Sequence, residues 1–145
     1  MRKLVKDVIT AAEAEILLHD YQQDFSKKIS HDMPPLVRKV LDNLAEHVDF
    51  QLHPESYWRI QNTPDSGIWW HKDTGSAGHM SWCTYGVSLL LTDEFGGRMK
   101  YRNGRVEEIV HGREKLDMYI HSSEEEHMVE APDPGKTRTV LLLFI

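Results

Sequence analysis

Arg98-Met99-Lys100-Tyr101-Arg102-Asn103-Gly104-Arg105-Val106-Glu107-Glu108-Ile109-Val110 is the stretch that decides the fold class. Two short runs, Arg98 to Arg102 and Arg105 to Val110, flank Asn103-Gly104. Both of those residues tolerate the positive φ of a type I′ turn, so the stretch predicts a β-hairpin. The same rhythm of short strand and turn continues outward on both sides. Upstream the strand candidates are Tyr57 to Gln61, Ile68 to Asp73 and Tyr85 to Thr92. Downstream they are Lys115 to His121, His127 to Ala131 and Arg138 to Ile145. Gly96-Gly97 and Pro132 to Gly135 punctuate them. About eight short strands at this spacing point to a sandwich or barrel rather than βαβ units.

The first fifty residues read differently. After a strand candidate at Lys3 to Val8, Thr10 and Glu13 have capping-box spacing, and Leu17, Leu18, Tyr21 and Phe25 then form one apolar helical stripe. Met33-Pro34-Pro35 starts a second helix, because proline is tolerated in a first turn. There Leu36, Val40, Leu44 and Val48 recur every four residues, joined by Val37 and Leu41. Helices first and strands after predict an α+β, mainly β chain in which two helices cover one face of a β-sandwich. At 145 residues the length fits a single domain, with helical support over 1–50 and a β core over 55–145.

Composition narrows the function classes. Seventeen basic against twenty-three acidic residues leave a net charge of −6, which argues against binding driven by nucleic-acid phosphates. One cysteine, Cys83, excludes an intrachain disulfide and a multi-cysteine zinc cluster. The N-terminus has no apolar h-region, and no apolar run approaches the roughly 18 residues of a membrane span, so a cytoplasmic protein is expected. The unusual feature is nine histidines.

Three of these have a carboxylate two residues on. In a strand, residues i and i+2 share a face and can grip one ion, whereas on a helix they diverge. His47-Val48-Asp49 ends the second helix, where an imidazole complements the C-terminal dipole. His53-Pro54-Glu55 lies in a connector whose proline opposes strand pairing. His71-Lys72-Asp73 ends a strand candidate, with Trp69 expected on the same face. A 2-His-1-carboxylate site needs one more imidazole and leaves positions open on the metal; His127, opening a strand candidate, is the candidate for it. Eleven residues on, Arg138 opens the terminal strand on the face of Val140, Leu142 and Phe144. A cation among apolar neighbours is accounted for by an anionic ligand or by an ordinary ion pair at the strand's start.

His71, Asp73, His127 and Arg138, in this order and with Gly96-Gly97 between them, resemble the iron(II)- and 2-oxoglutarate-dependent oxygenases, in their prolyl 4-hydroxylase-like branch. Val8 to Ala14 is similar to the family's entry into its supporting helices. Thr92 to Tyr101 resembles its double-glycine segment, and His127 to Arg138 its second-histidine and basic-residue ending. The resemblance implies a double-stranded β-helix, or jelly roll, with two N-terminal supporting helices. It implies iron held by His71, Asp73 and His127, and Arg138 on the distal carboxylate of 2-oxoglutarate. The activity implied is hydroxylation of an unactivated C–H, of a prolyl residue in a peptide or protein first, with oxygen as co-substrate and release of succinate and carbon dioxide; ascorbate is compatible with that set. The substrate is then a peptide, a protein or a small molecule, with no nucleic acid or membrane partner. Two places where the family often has an aromatic residue hold Gln61 and Leu90 here, which leaves the second carboxylate partner among Gln61, Thr84 and Tyr85. Lys136 is the alternative to Arg138.

Two other readings keep a similar scaffold: a non-catalytic jelly-roll metal-binding or scaffold protein, and a cupin-type metalloenzyme that does not use 2-oxoglutarate. Thr74 to Gly78, small and flexible, reads as a lid candidate or as an ordinary surface turn. Trp69, Trp70 and Trp82 read first as core aromatics, Glu124 to Glu126 as a solvated turn, and Cys83 as a small buried side chain. His79, His111 and His121 read as bystanders.

Overall fold

The computed structural model describes residues 2–21, 25–74, 78–109 and 113–145. In chain order the elements are β1 (Arg2–Val5), α1 (Ala11–Asp20), β2 (Phe25–Lys28), α2 (Pro35–Ala45), β3 (Tyr57–Asn62), β4 (Ile68–His71), β5 (Tyr85–Leu90), β6 (Met99–Asn103), β7 (Val106–Ile109), β8 (Met118–Ser122), β9 (Glu126–Val129) and β10 (Thr139–Phe144). The central residues of the lid candidate, 75–77, and His111 lie outside the described residues.

Both helices start as the sequence predicts. Thr10 Oγ1 accepts from the Glu13 amide at 3.1 Å, and Glu13 Oε1 accepts from the Thr10 amide at 2.9 Å, which closes the capping box. Pro34 and Pro35 open α2, whose Val37, Val40, Leu41 and Leu44 are buried; Val48 lies past the helix end but is buried too. One expectation fails at the end of α1. The helix stops at Asp20, and Phe25 belongs not to its stripe but to β2, which pairs with β3. Tertiary packing overrides the 3/4 spacing here: Phe25 and Tyr21 close on the buried Trp58, with ring centroids 5.0–5.5 Å apart.

The strands form two antiparallel sheets, a larger one in the order β1-β8-β5-β10-β3-β2 and a smaller one in the order β4-β9-β6-β7. Alternation along the larger sheet separates two environments. Trp58, Ile60, Leu89, Met118, Ile120, Leu141 and Leu143 pack in one core with the buried faces of α1 and α2. The intervening residues Gln61, Gly86, Ser88, His121, Val140, Leu142 and Phe144 line a cavity between the two sheets. A one-residue slip in any of these strands would exchange the two faces, so the helix-side core sets the register that aims the cavity residues.

The β6–β7 hairpin forms, but its turn is displaced by one residue. Asn103 pairs with Val106, so the two-residue loop is Gly104-Arg105. Gly104 has φ +63° and Arg105 has no positive φ, which is the type II′ pattern with glycine in the first central position rather than type I′. Among the described residues no helix is long and apolar enough to cross a membrane.

Candidate metal centre

The chain brings His71, Asp73 and His127 together: one potential ligand atom from each lies within 4.8 Å of the others. His71 and His127 are direct partners across the β4–β9 ladder, and their ring centroids are 4.3 Å apart. The register between β4 and β9 shifts between Ile68 and His71, where three steps on β4 match two on β9. This bulge turns both Ile68 and His71 into the cavity. It also overturns the expectation for Trp69, which is 78% exposed and does not line the cavity with His71 and Asp73. Asp73 lies two residues past the end of β4, so strand alternation does not aim its carboxylate.

Side-chain hydrogen bonds prepare the donor atoms. His71 Nδ1 bonds the Trp69 carbonyl at 2.7 Å and His127 Nδ1 bonds the Glu125 carbonyl at 2.8 Å. A carbonyl accepts only, so each Nδ1 carries the proton and each Nε2 keeps its lone pair free. Burial, with the charge of neighbouring His121, pushes His127 down to about 4 against the pull of Asp73, so it is a neutral imidazole near pH 7. Burial works to raise the Asp73 carboxyl, yet the hydrogen bond from His121 and the surrounding imidazoles hold it below its ordinary value. Asp73 Oδ1 is 3.5 Å from His127 Nε2. Two free imidazole nitrogens and an ionised oxygen form a donor set suited to a first-row divalent ion.

Arg138 is 2% exposed, and its side chain enters the same cavity. Nη1 donates to Thr63 Oγ1 at 3.1 Å, while Nε and Nη2 have no partner among the described residues. Burial, together with the charge of Arg113 and against that of Glu94, lowers the guanidinium to about 10, so it stays charged near neutrality. Gly97 is needed for this placement, since a Cβ there would sit 2.7 Å from Arg138 Cδ. Lys136 is exposed, with Nζ 5.4 Å from the centroid of the Phe95 ring, and does not reach the cavity. Of the residues weighed as a second carboxylate partner, Gln61 lines the cavity, whereas Thr84 and Tyr85 do not.

His121 is no bystander. It is 3% exposed, and its Nε2 lies 2.7 Å from Asp73 Oδ2. Sequence reasoning passed over it because it sits at a strand end. Its position one step from the helix-facing Ile120 was the available signal for the cavity face. Ser88 was missed as well; it lines the cavity while buried Arg113 donates to its Oγ at 3.0 Å. The cavity holds about 140 Å³, below the roughly 300 Å³ where drug-sized pockets begin, and so suits a small acid.

No family model matches the chain, and no curated protein matches it in sequence. Solved structures do match. The chain superposes on an oxidoreductase of the 2OG-Fe(II) oxygenase family from Burkholderia pseudomallei with a TM-score of 0.68 at 15% identity, over 99% of this chain and 82% of that one. The chain has the fold of the 2OG-Fe(II) oxygenases. The same fold is shared with a prolyl hydroxylase from Trichoplax adhaerens in complex with a hypoxia inducible factor oxygen degradation domain peptide fragment, with a TM-score of 0.67 at 11% identity over 99% and 82% of the two chains. HygX from Streptomyces hygroscopicus, solved with nickel and 2-oxoglutarate bound, gives 0.68 at 14% identity over 99% and 80%. In the oxygenase fold of this chain, the cavity between the sheets holds both the His-Asp-His cluster and the buried arginine.

Proposed function

We propose that this protein is an iron(II)- and 2-oxoglutarate-dependent dioxygenase built as one double-stranded β-helix domain over residues 1–145. The observation that carries the reading is the joint presence, in one small cavity, of three converging donor atoms and an under-bonded buried guanidinium. His71 Nε2, His127 Nε2 and Asp73 would hold the ion. Arg138, with Thr63 fixing Nη1, would take the distal carboxylate of 2-oxoglutarate through its unpaired Nε and Nη2. When bound, iron(II), 2-oxoglutarate and oxygen supply oxidation of an unactivated C–H, with succinate and carbon dioxide as co-products.

The chain's own part is placement and exclusion of water. Val140, Leu142 and Phe144 give the cavity an apolar wall, where the Arg138 charge acts at low dielectric and discriminates strongly for an anion. A peptidyl proline is the substrate most in keeping with the peptide-bound neighbour.

The test is 2-oxoglutarate binding and uncoupled turnover with iron(II), comparing wild type with His71→Ala, Asp73→Ala and Arg138→Ala. The first two should lose iron binding. The third should keep iron and lose 2-oxoglutarate. Failure of the iron-loaded wild type to bind 2-oxoglutarate would overturn the proposal.

A further inference from the structure

The two oxygens of Asp73 are treated differently. Oδ1 faces His127 Nε2, whereas Oδ2 is engaged by His121 Nε2 at 2.7 Å. His121 in turn has Nδ1 2.9 Å from the Tyr101 hydroxyl. An ionised carboxylate is an acceptor only, so Nε2 carries a proton and donates to Asp73. His121 is thus held between the Tyr101 hydroxyl at one ring nitrogen and the Asp73 carboxylate at the other. All three residues are 7% exposed or less, with Tyr101 at 1%, so water does not compete for these bonds.

Gly86 shows that the contact is built into the fold. It pairs with His121 across the β5–β8 ladder, and its φ is not positive, so backbone conformation does not require glycine there. A Cβ at that position would overlap Asp73 Oδ2 and come within 2.5 Å of His121 Nε2. The bond thus occupies the space that any other residue would fill.

We propose that His121 is a positioning residue that holds back Asp73 Oδ2, so that Asp73 offers only Oδ1 to the metal centre. This rests on the assignment of His71, Asp73 and His127 as ligands. A carboxylate free to turn can chelate with both oxygens, and on a six-coordinate ion it would then take one of the three positions a facial triad leaves open. The co-substrate needs two adjacent positions of its own, through a carboxylate and a ketone oxygen. Releasing Oδ2 therefore harms 2-oxoglutarate binding more than ion binding. Tyr101 acts one step further out, holding the His121 ring in the orientation from which it donates.

The experiment titrates cobalt(II), and then 2-oxoglutarate, into wild type, His121→Leu, His121→Gln and Tyr101→Phe, following the cobalt d–d bands. Wild type should bind cobalt(II) and change its bands when 2-oxoglutarate is added. His121→Leu should bind cobalt(II) within a few-fold of wild type, with altered bands before 2-oxoglutarate, and should lose about tenfold in 2-oxoglutarate affinity. His121→Gln, which keeps an N–H donor, should recover most of that loss. Tyr101→Phe leaves His121 in place, should fall in between, and decides the matter if the leucine variant does not fold. Wild-type affinities and bands in every folded variant would overturn the role of His121 alone. Failure of wild type to bind cobalt(II) would overturn the metal centre and this role with it.

Discussion

Arg138→Met is expected to stabilise the protein in the absence of 2-oxoglutarate while abolishing 2-oxoglutarate binding. Burial and the Arg113 charge hold the guanidinium at about 10, well below its ordinary value, a penalty of about 3 kcal/mol on the charged form. Methionine removes that penalty, and its unbranched stem can follow the arginine path past Gly97. The loss is the Nη1 hydrogen bond to Thr63, worth about 1.5 kcal/mol. Glu94, whose carboxyl is already raised by burial, can take up a proton once the cation is gone. The net gain is about 1.5 kcal/mol, or roughly 5 °C in Tm for a chain of this size. Urea denaturation of the metal-free protein measures the first half, and calorimetric titration of 2-oxoglutarate into the iron-loaded protein measures the second. A methionine variant less stable than wild type by 1 kcal/mol would show that the guanidinium is fully satisfied without an anion. That result would remove the argument for an anion subsite.

Other outcomes follow from the same structure. His127 is depressed to about 4 from 6.5, so between these values the unfolded chain binds a proton that the native protein refuses. Stability of the metal-free protein should therefore fall as pH drops from 6.5 to 4, by about 3 kcal/mol in all; the slope of urea midpoints against pH should flatten in His127→Leu, and an unchanged slope would count against the neutral assignment. Burial pushes the Cys83 thiol up to about 12, so its reaction with a disulfide reagent at pH 8 should be at least ~100-fold slower in native than in denatured protein; equal rates would place the thiol at the surface. Gly67 has φ +74°, and a Cβ there would sit 2.5 Å from the Val129 carbonyl oxygen. Gly67→Ala should accordingly cost about 3 kcal/mol, read as a Tm lower by roughly 10 °C.

Much of the architecture was legible because it is written in local chemistry. The capping box at Thr10 and Glu13, the apolar face of α2 and the alternation along β10 each depend on neighbours a few residues away. The α1 stripe misled at Phe25, where a strand pairing with β3 prevails over helical spacing. The turn after β6 shifted by one residue because strand register, not turn propensity, chooses which two residues form the loop. His71, Asp73, His127 and Arg138 were readable as types in an order. The reason first offered for His71 and Asp73, one face of one strand, is not what joins them: a bulge turns His71 inward, and Asp73 lies beyond β4.

By itself, then, the sequence determined which candidate side chains offer donor atoms and a cation, and the alternation that buries Arg138 beside Val140, Leu142 and Phe144. Only the tertiary structure decided that His71 and His127 pair across a ladder, that two Arg138 guanidinium donors have no partner among the described residues, and that His121 grips Asp73 through the space left by Gly86. The physical reason is range. Capping and periodicity act over one or two turns of chain, whereas His121 and Asp73 are 48 residues apart, and their meeting is specified by strand register and by a Cβ that is not there.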